Sequence, residues 1–191
     1  MKTGRLEAFS DGVLAIIITI MVLGMSAPKG YTFEALTPIL PVFLTYILSF
    51  VYVGIYWNNH HHLFQAVKKV NGQILWANLN LLLWLSLFPF ATDWLGKNHF
   101  EDHPTAIYGA VLFLAAVAFK ILVVCVIRNE GKDSNIAKVY STDKRMNLSL
   151  FLYFTGVVVS FFFPILSLAI YLGVALMWIV PDKRIEKTIQ D

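Results

Sequence analysis

The chain has 191 residues, of which 58% are hydrophobic and only 14% charged, against roughly a quarter charged in ordinary soluble domains. With a mean hydropathy of +0.66 this composition excludes a soluble globular domain and reads as an all-α integral membrane protein. The formal net charge of +3 points to no nucleic-acid partner, because the basic residues cluster in particular loops, which is an orientation signal.

Six apolar segments follow one another, at about 5–26, 35–64, 72–95, 104–127, 146–163 and 165–180. A helix needs about 20 residues to cross the hydrocarbon core. The expectation is one six-helix transmembrane domain over 1–191, with no stretch left for a separate soluble domain. The first segment, RLEAFSDGVLAIIITIMVLGM from Arg5 to Met25, opens with polar residues and then runs apolar. Ile16, Thr19, Ile20 and Leu23 lie at i, i+3, i+4 and i+7, so they share one helix face. Taken by itself this spacing reads as lipid-facing or packed residues. Lys2, Arg5 and the run up to Gly24-Met25-Ser26-Ala27 have the outline of a signal peptide. Glu7 and Asp11, two carboxylates beside the apolar region, argue against cleavage.

The second segment ends YWNNHHHLF, bringing Asn58, Asn59, His60, His61 and His62 near the level of Arg5 and Asp11. Arg5 and Asp11 are six residues apart and do not face each other on one helix, so each needs a partner elsewhere. A carboxylate–histidine–arginine network locking the first helix to the second is expected. Which histidine joins it is open. Three consecutive histidines point about 100° apart and cannot converge on one metal ion. No metal or other cofactor is expected. The third segment carries Asn78, Asn80, Trp84, Ser86 and Thr92, read as hydrogen-bonding residues between helices. Pro89 predicts a kink. Lys120, in the middle of the fourth segment, either snorkels or pairs with another helix. SFFFP at Ser160–Pro164 ends or kinks the fifth. The single Cys125 excludes an intrachain disulfide.

Six spans put both termini on one side. That side holds Lys2, Arg5, Lys68, Lys69, Arg128, Lys132, Lys138, Lys144, Arg145, Lys183, Arg184 and Lys187, while the other holds Lys29 and Lys97. The asymmetry makes both termini cytoplasmic. Glu34, Asp93, Glu101 and Asp102 leave the outer face mildly negative, which is read first as ordinary solvated loop charge. There is no GxSxG, HExxH or phosphate loop, so no enzyme constellation is present. A TVGYG-like filter loop is also missing.

The motif RxxxFSD, formed by Arg5, Phe9, Ser10 and Asp11 at the start of the first span, together with the chain length, resembles the prokaryotic transmembrane protein 175 family of potassium channels. The resemblance implies a channel fold without a pore-loop filter, in which the first helix of each subunit lines the pore. On that reading Ile16, Ile20 and Leu23 are hydrophobic pore layers and Thr19 is the pore hydroxyl. It further implies a homotetramer in the bacterial inner membrane that conducts K+ in preference to other monovalent cations. A ring of Ile16 side chains would serve as gate and selectivity element. The alternatives kept open are a proton or ion leak pathway, or a secondary carrier, using Asp11, the histidines and Lys120 as a relay.

Overall fold

The computed structural model describes residues 3–179, apart from the side chains of Ser141 and Thr142. Among the described residues all regular structure is helical. Eight α-helices follow in order: α1 Gly4–Leu23, α2 Leu40–Gln65, α3 Gly72–Leu85, α4 Phe88–Lys97, α5 Asp102–Glu130, α6 Asn135–Thr142, α7 Arg145–Ser160 and α8 Pro164–Ile179.

Among the described residues four stretches are long and apolar enough to cross a membrane: 4–23, 33–65, 72–97 and 102–130. The second gains its length from a 3-10 helix, Phe33–Ile39, that runs straight into α2. Pro41 sits in the first turn of α2, where an amide hydrogen would have no partner in any case. The third stretch is two helices, not one. α3 ends at Leu85 and α4 restarts at Phe88, with Pro89 in its first turn. The expected kink is thus a break, because proline cannot donate to the preceding turn. Ser86 fills the gap by donating its hydroxyl to the Leu83 carbonyl at 2.7 Å.

The fifth and sixth expected spans correspond to α7 and α8, each of 16 residues, or about 24 Å of rise. The SFFFP sequence stops α7 at Ser160, and Pro164 opens α8 after a three-residue turn. The first helix also stops earlier than the apolar run suggests, at Leu23, with Gly24 as its cap. Val180, which closes the expected sixth span, lies outside the described residues, as do Lys2, Lys183, Arg184 and Lys187.

α5 is the hub, packing against α3, α4, α7 and α8. Tyr171 of α8 reaches into this centre and is fully buried. Its room is made by two glycines: a Cβ on Gly109 of α5 or Gly156 of α7 would overlap the Tyr171 ring. The Tyr52 hydroxyl of α2 donates to the Tyr171 carbonyl at 2.5 Å. α1 stands apart from this centre and packs mainly on α2, α3 and α4. That leaves one long side of α1 uncovered.

Candidate functional site

The two faces of α1 differ sharply. Leu6, Ser10, Leu14, Ile17 and Met21 are buried, spaced by four, four, three and four residues, so they form one stripe. The opposite stripe is bare: Phe9 is 56% exposed, Ile16 59%, Ile20 50% and Leu23 76%, whereas Ile17 is 3% exposed. Arg5, Ala8, Gly12, Ala15 and Thr19 are exposed on the same side. Thr19 donates its hydroxyl to the Ala15 carbonyl at 2.9 Å. Its proton is thereby spent on the helix, and the oxygen lone pairs remain for whatever faces the stripe.

The buried stripe is held by a polar cluster at the start of the helix. The Ser10 hydroxyl donates to the Leu6 carbonyl at 2.9 Å. Asn78 of α3 donates its amide to the Ser10 oxygen at 3.0 Å. The Asn78 amide oxygen lies 2.8 Å from Nε2 of His60. An amide oxygen can only accept, so His60 carries a hydrogen on Nε2 and donates it. Ser10, His60 and Asn78 are all buried, so each bond replaces water that the site excludes. Three helices, α1, α2 and α3, are tied together at one point.

The expected carboxylate–histidine–arginine network therefore takes a different form. Asp11 accepts a hydrogen bond from the indole of Trp57 at 3.0 Å, and among the described residues it makes no hydrogen bond to a histidine. Among the described residues Arg5 makes no hydrogen bond or ion pair; it sits on the exposed side of α1. Of the three histidines only His60 enters the cluster. His61 stacks on Trp57 with ring planes 12° apart and lies 2.7 Å from the Gln65 amide nitrogen. His62 points elsewhere, its buried Nδ1 lacking a hydrogen-bond partner among the described residues. The reason is helical geometry: 100° per residue sends the three rings to three places. Phe9 is exposed and takes no part.

Sequence reading missed Trp57 and gave Asn78 only a generic role. The signal for Asn78 was its position: an amide deep in an apolar run must find a partner. Trp57 carried no such signal, since an aromatic near a membrane surface is commonplace. At the far end of α1 a second polar chain repeats the tie. The Thr92 hydroxyl of α4 lies 3.7 Å from the Met21 sulfur and 2.7 Å from Ser49 of α2, which lies 3.0 Å from the Tyr108 hydroxyl of α5. α1 is thus pinned at both ends on one face and free along the other. Among the described residues no group of three histidine, cysteine, aspartate or glutamate side chains could hold a metal ion. Lys120 of α5 finds its partner in α7, donating to the Asn147 amide oxygen at 2.7 Å.

The family described as "Endosomal/lysosomal potassium channel TMEM175" matches residues 5–89, which cover α1 from Arg5 onward and the Ser10–His60–Asn78 cluster. A Chryseobacterium protein named as a potassium channel is 56% identical over 191 residues, all of both chains. The crystal structure of a lysosomal potassium-selective channel TMEM175 homolog from Chamaesiphon minutus superposes with a TM-score of 0.81 at 26% identity, over 93% of this chain and 96% of that one. A Gallus gallus protein named as an endosomal/lysosomal proton channel, TMEM175, is 30% identical over 129 residues, 59% of this chain and 26% of that protein.

Proposed function

The chain belongs to the TMEM175 family of channels, and we propose that it assembles as a homotetramer whose central pore is lined by α1. The observation that carries this reading is the bare stripe of Phe9, Ile16, Ile20 and Leu23 on a helix pinned firmly along its other face. A single copy of α1 cannot enclose a pore, so several chains must bring their free stripes to one axis. Four Ile16 side chains ring that axis near the middle of the span. Ile20 and Leu23 form further rings toward the far end, and Thr19 offers its oxygens between them.

A tight apolar ring excludes water and gates by dewetting. An ion crosses it only by shedding part of its shell. K+ holds water less tightly than Na+ and loses less, so K+ preference arises without coordinating carbonyls, and it is modest. The permeant species are K+ and, less readily, other monovalent cations. The whole of 1–191 is one transmembrane unit of six spans, α7 and α8 completing the set as a hairpin in a locally thinned bilayer. Both termini face the cytoplasm, by the lysine and arginine bias, and the membrane is the bacterial inner membrane. The test is reconstitution in planar bilayers with opposed K+ and Na+ solutions. A reversal potential set by K+ supports the reading, and saturable flux coupled to a second solute replaces it with a carrier.

A second reading is proton conduction, favoured by the name of the Gallus gallus relative and by the histidine-bearing cluster beside α1. A pH gradient imposed across the same bilayers, with K+ equal on both sides, distinguishes it. A reversal potential that follows the proton gradient makes protons the permeant species.

A further inference from the structure

Away from α1, a cavity of about 410 Å³ lies between the second half of α5, the short helix α6 and the start of α7. Its polar wall includes Lys120, Lys132, Lys138 and Asn147, and its apolar wall includes Val124 and Ile127. Asp143 also borders it, but its carboxylate is occupied by Arg145, whose Nη2 lies 3.0 Å from Oδ2 and whose Nε lies 3.2 Å from both carboxylate oxygens. The Arg145 guanidinium in turn sits 4.8 Å over the Trp178 ring. The acid therefore contributes little negative charge to the cavity. Lys120 donates only to a neutral amide, Asn147. Neither Lys120 nor Lys132 has a carboxylate within ion-pair distance among the described residues. Tyr140 stands in the same wall, its buried hydroxyl without a hydrogen-bond partner among the described residues.

The depth of these groups matters. Lys120 lies ten residues before the end of α5 at Glu130, about 15 Å along the helix axis. A lysine placed there extends its ammonium toward the membrane surface. α6 crosses the chain at that surface, with Ile136 and Ala137 buried and Asn135 and Lys138 exposed. The cavity thus has cationic groups at the level of lipid phosphates and an apolar wall beneath, where acyl chains begin. Basic niches between membrane helices on one face are the usual seat of anionic headgroups.

The geometry points to a binding site for the phosphate group of an anionic phospholipid, held by Lys120 and Lys132 between α5, α6 and α7. It rests on the chain crossing a bilayer and not on what the pore conducts, so the two ideas fail separately. The lipid stabilises α6 against α5 and α7 and offsets the charge of Lys120.

The test uses the full chain, purified and delipidated, and native mass spectrometry of retained lipid. Phosphatidylglycerol and phosphatidylcholine of matched acyl chains are compared, with inorganic phosphate as a third arm. Phosphatidylglycerol should be retained preferentially, and Lys120→Gln together with Lys132→Gln should weaken it about thirtyfold, at about a kilocalorie per lysine near the surface. Lys132→Glu alone, on an exposed loop residue, should weaken it without touching the fold. Lys29→Gln, an exposed residue on the other side, should change nothing. Equal retention of the two lipids, or a preference that survives both lysine variants, overturns the assignment. Binding of inorganic phosphate that the same variants abolish, with no lipid preference, makes the ligand a free anion and also overturns it.

Discussion

The stripe on α1 makes a sharp prediction about Ile16. The side chain is 59% exposed in the subunit, so Ile16→Asn removes little core packing and should alter subunit stability by no more than about 0.5 kcal/mol. If four chains bring this stripe to a pore axis, as proposed, four amides replace four butyl groups and wet the constriction. The dehydration step that separates K+ from Na+ then disappears. A tenfold fall in K+ preference corresponds to about 1.4 kcal/mol and moves the bi-ionic reversal potential by about 59 mV. Current should rise at the same time. The control must be exposed yet remote from α1, and Ile121 of α5, 44% exposed, meets that need. Ile17 does not: at 3% exposure, Ile17→Asn places an unsatisfied amide in the core, costing about 1–3 kcal/mol beyond lost packing, so it should reduce folded yield. Matched bilayer recordings of the parent, Ile16→Asn and Ile121→Asn decide the matter. An unchanged reversal potential in Ile16→Asn, or the same shift in Ile121→Asn, refutes the pore assignment of this face.

Asn78→Leu leaves the Ser10 hydroxyl and the His60 Nε2–H without their shared partner and should cost about 1–3 kcal/mol, read as a lower thermal midpoint in detergent; an unchanged midpoint would mean the cluster is not a structural tie. Arg5→Ala removes a side chain with no bond inside the described subunit, so the midpoint should hold within about 0.5 kcal/mol while size-exclusion chromatography shows loss of the oligomer; a normal oligomer would deny Arg5 an intersubunit role. Gly156→Ala drives a methyl into the Tyr171 ring and should destabilise the chain by about 1–3 kcal/mol, and a parent-like midpoint would show that Tyr171 swings aside freely. Lys97→Cys should react with a membrane-impermeant thiol reagent added outside intact cells, against a background of the buried-run Cys125 replaced by Ala; labelling only after lysis would invert the orientation.

Much of this protein could be read from one dimension. Long apolar segments in water-poor surroundings have one solution, because every backbone amide must be satisfied within its own segment. That alone dictated helices, and prolines such as Pro41, Pro89 and Pro164 marked where they start or break. The spacing of Ile16, Ile20 and Leu23 also announced a shared face. Periodicity, however, names a stripe without saying whether it is buried, lipid-facing or free. Only the packing of α1 on α2, α3 and α4 decided that Ile17 turns inward and Ile16 outward, since burial belongs to neighbours and not to the helix itself. The partners in the polar cluster were equally a tertiary matter. Ser10, His60 and Asn78 lie 68 positions apart at their extremes, as the Asn78–Ser10 bond records, and no local pattern couples them. Sequence could state that an amide, an imidazole and a hydroxyl each needed a partner inside an apolar medium. Which of them meet, and that Asp11 turns to Trp57 while Arg5 is left facing outward, depended on where three helices cross.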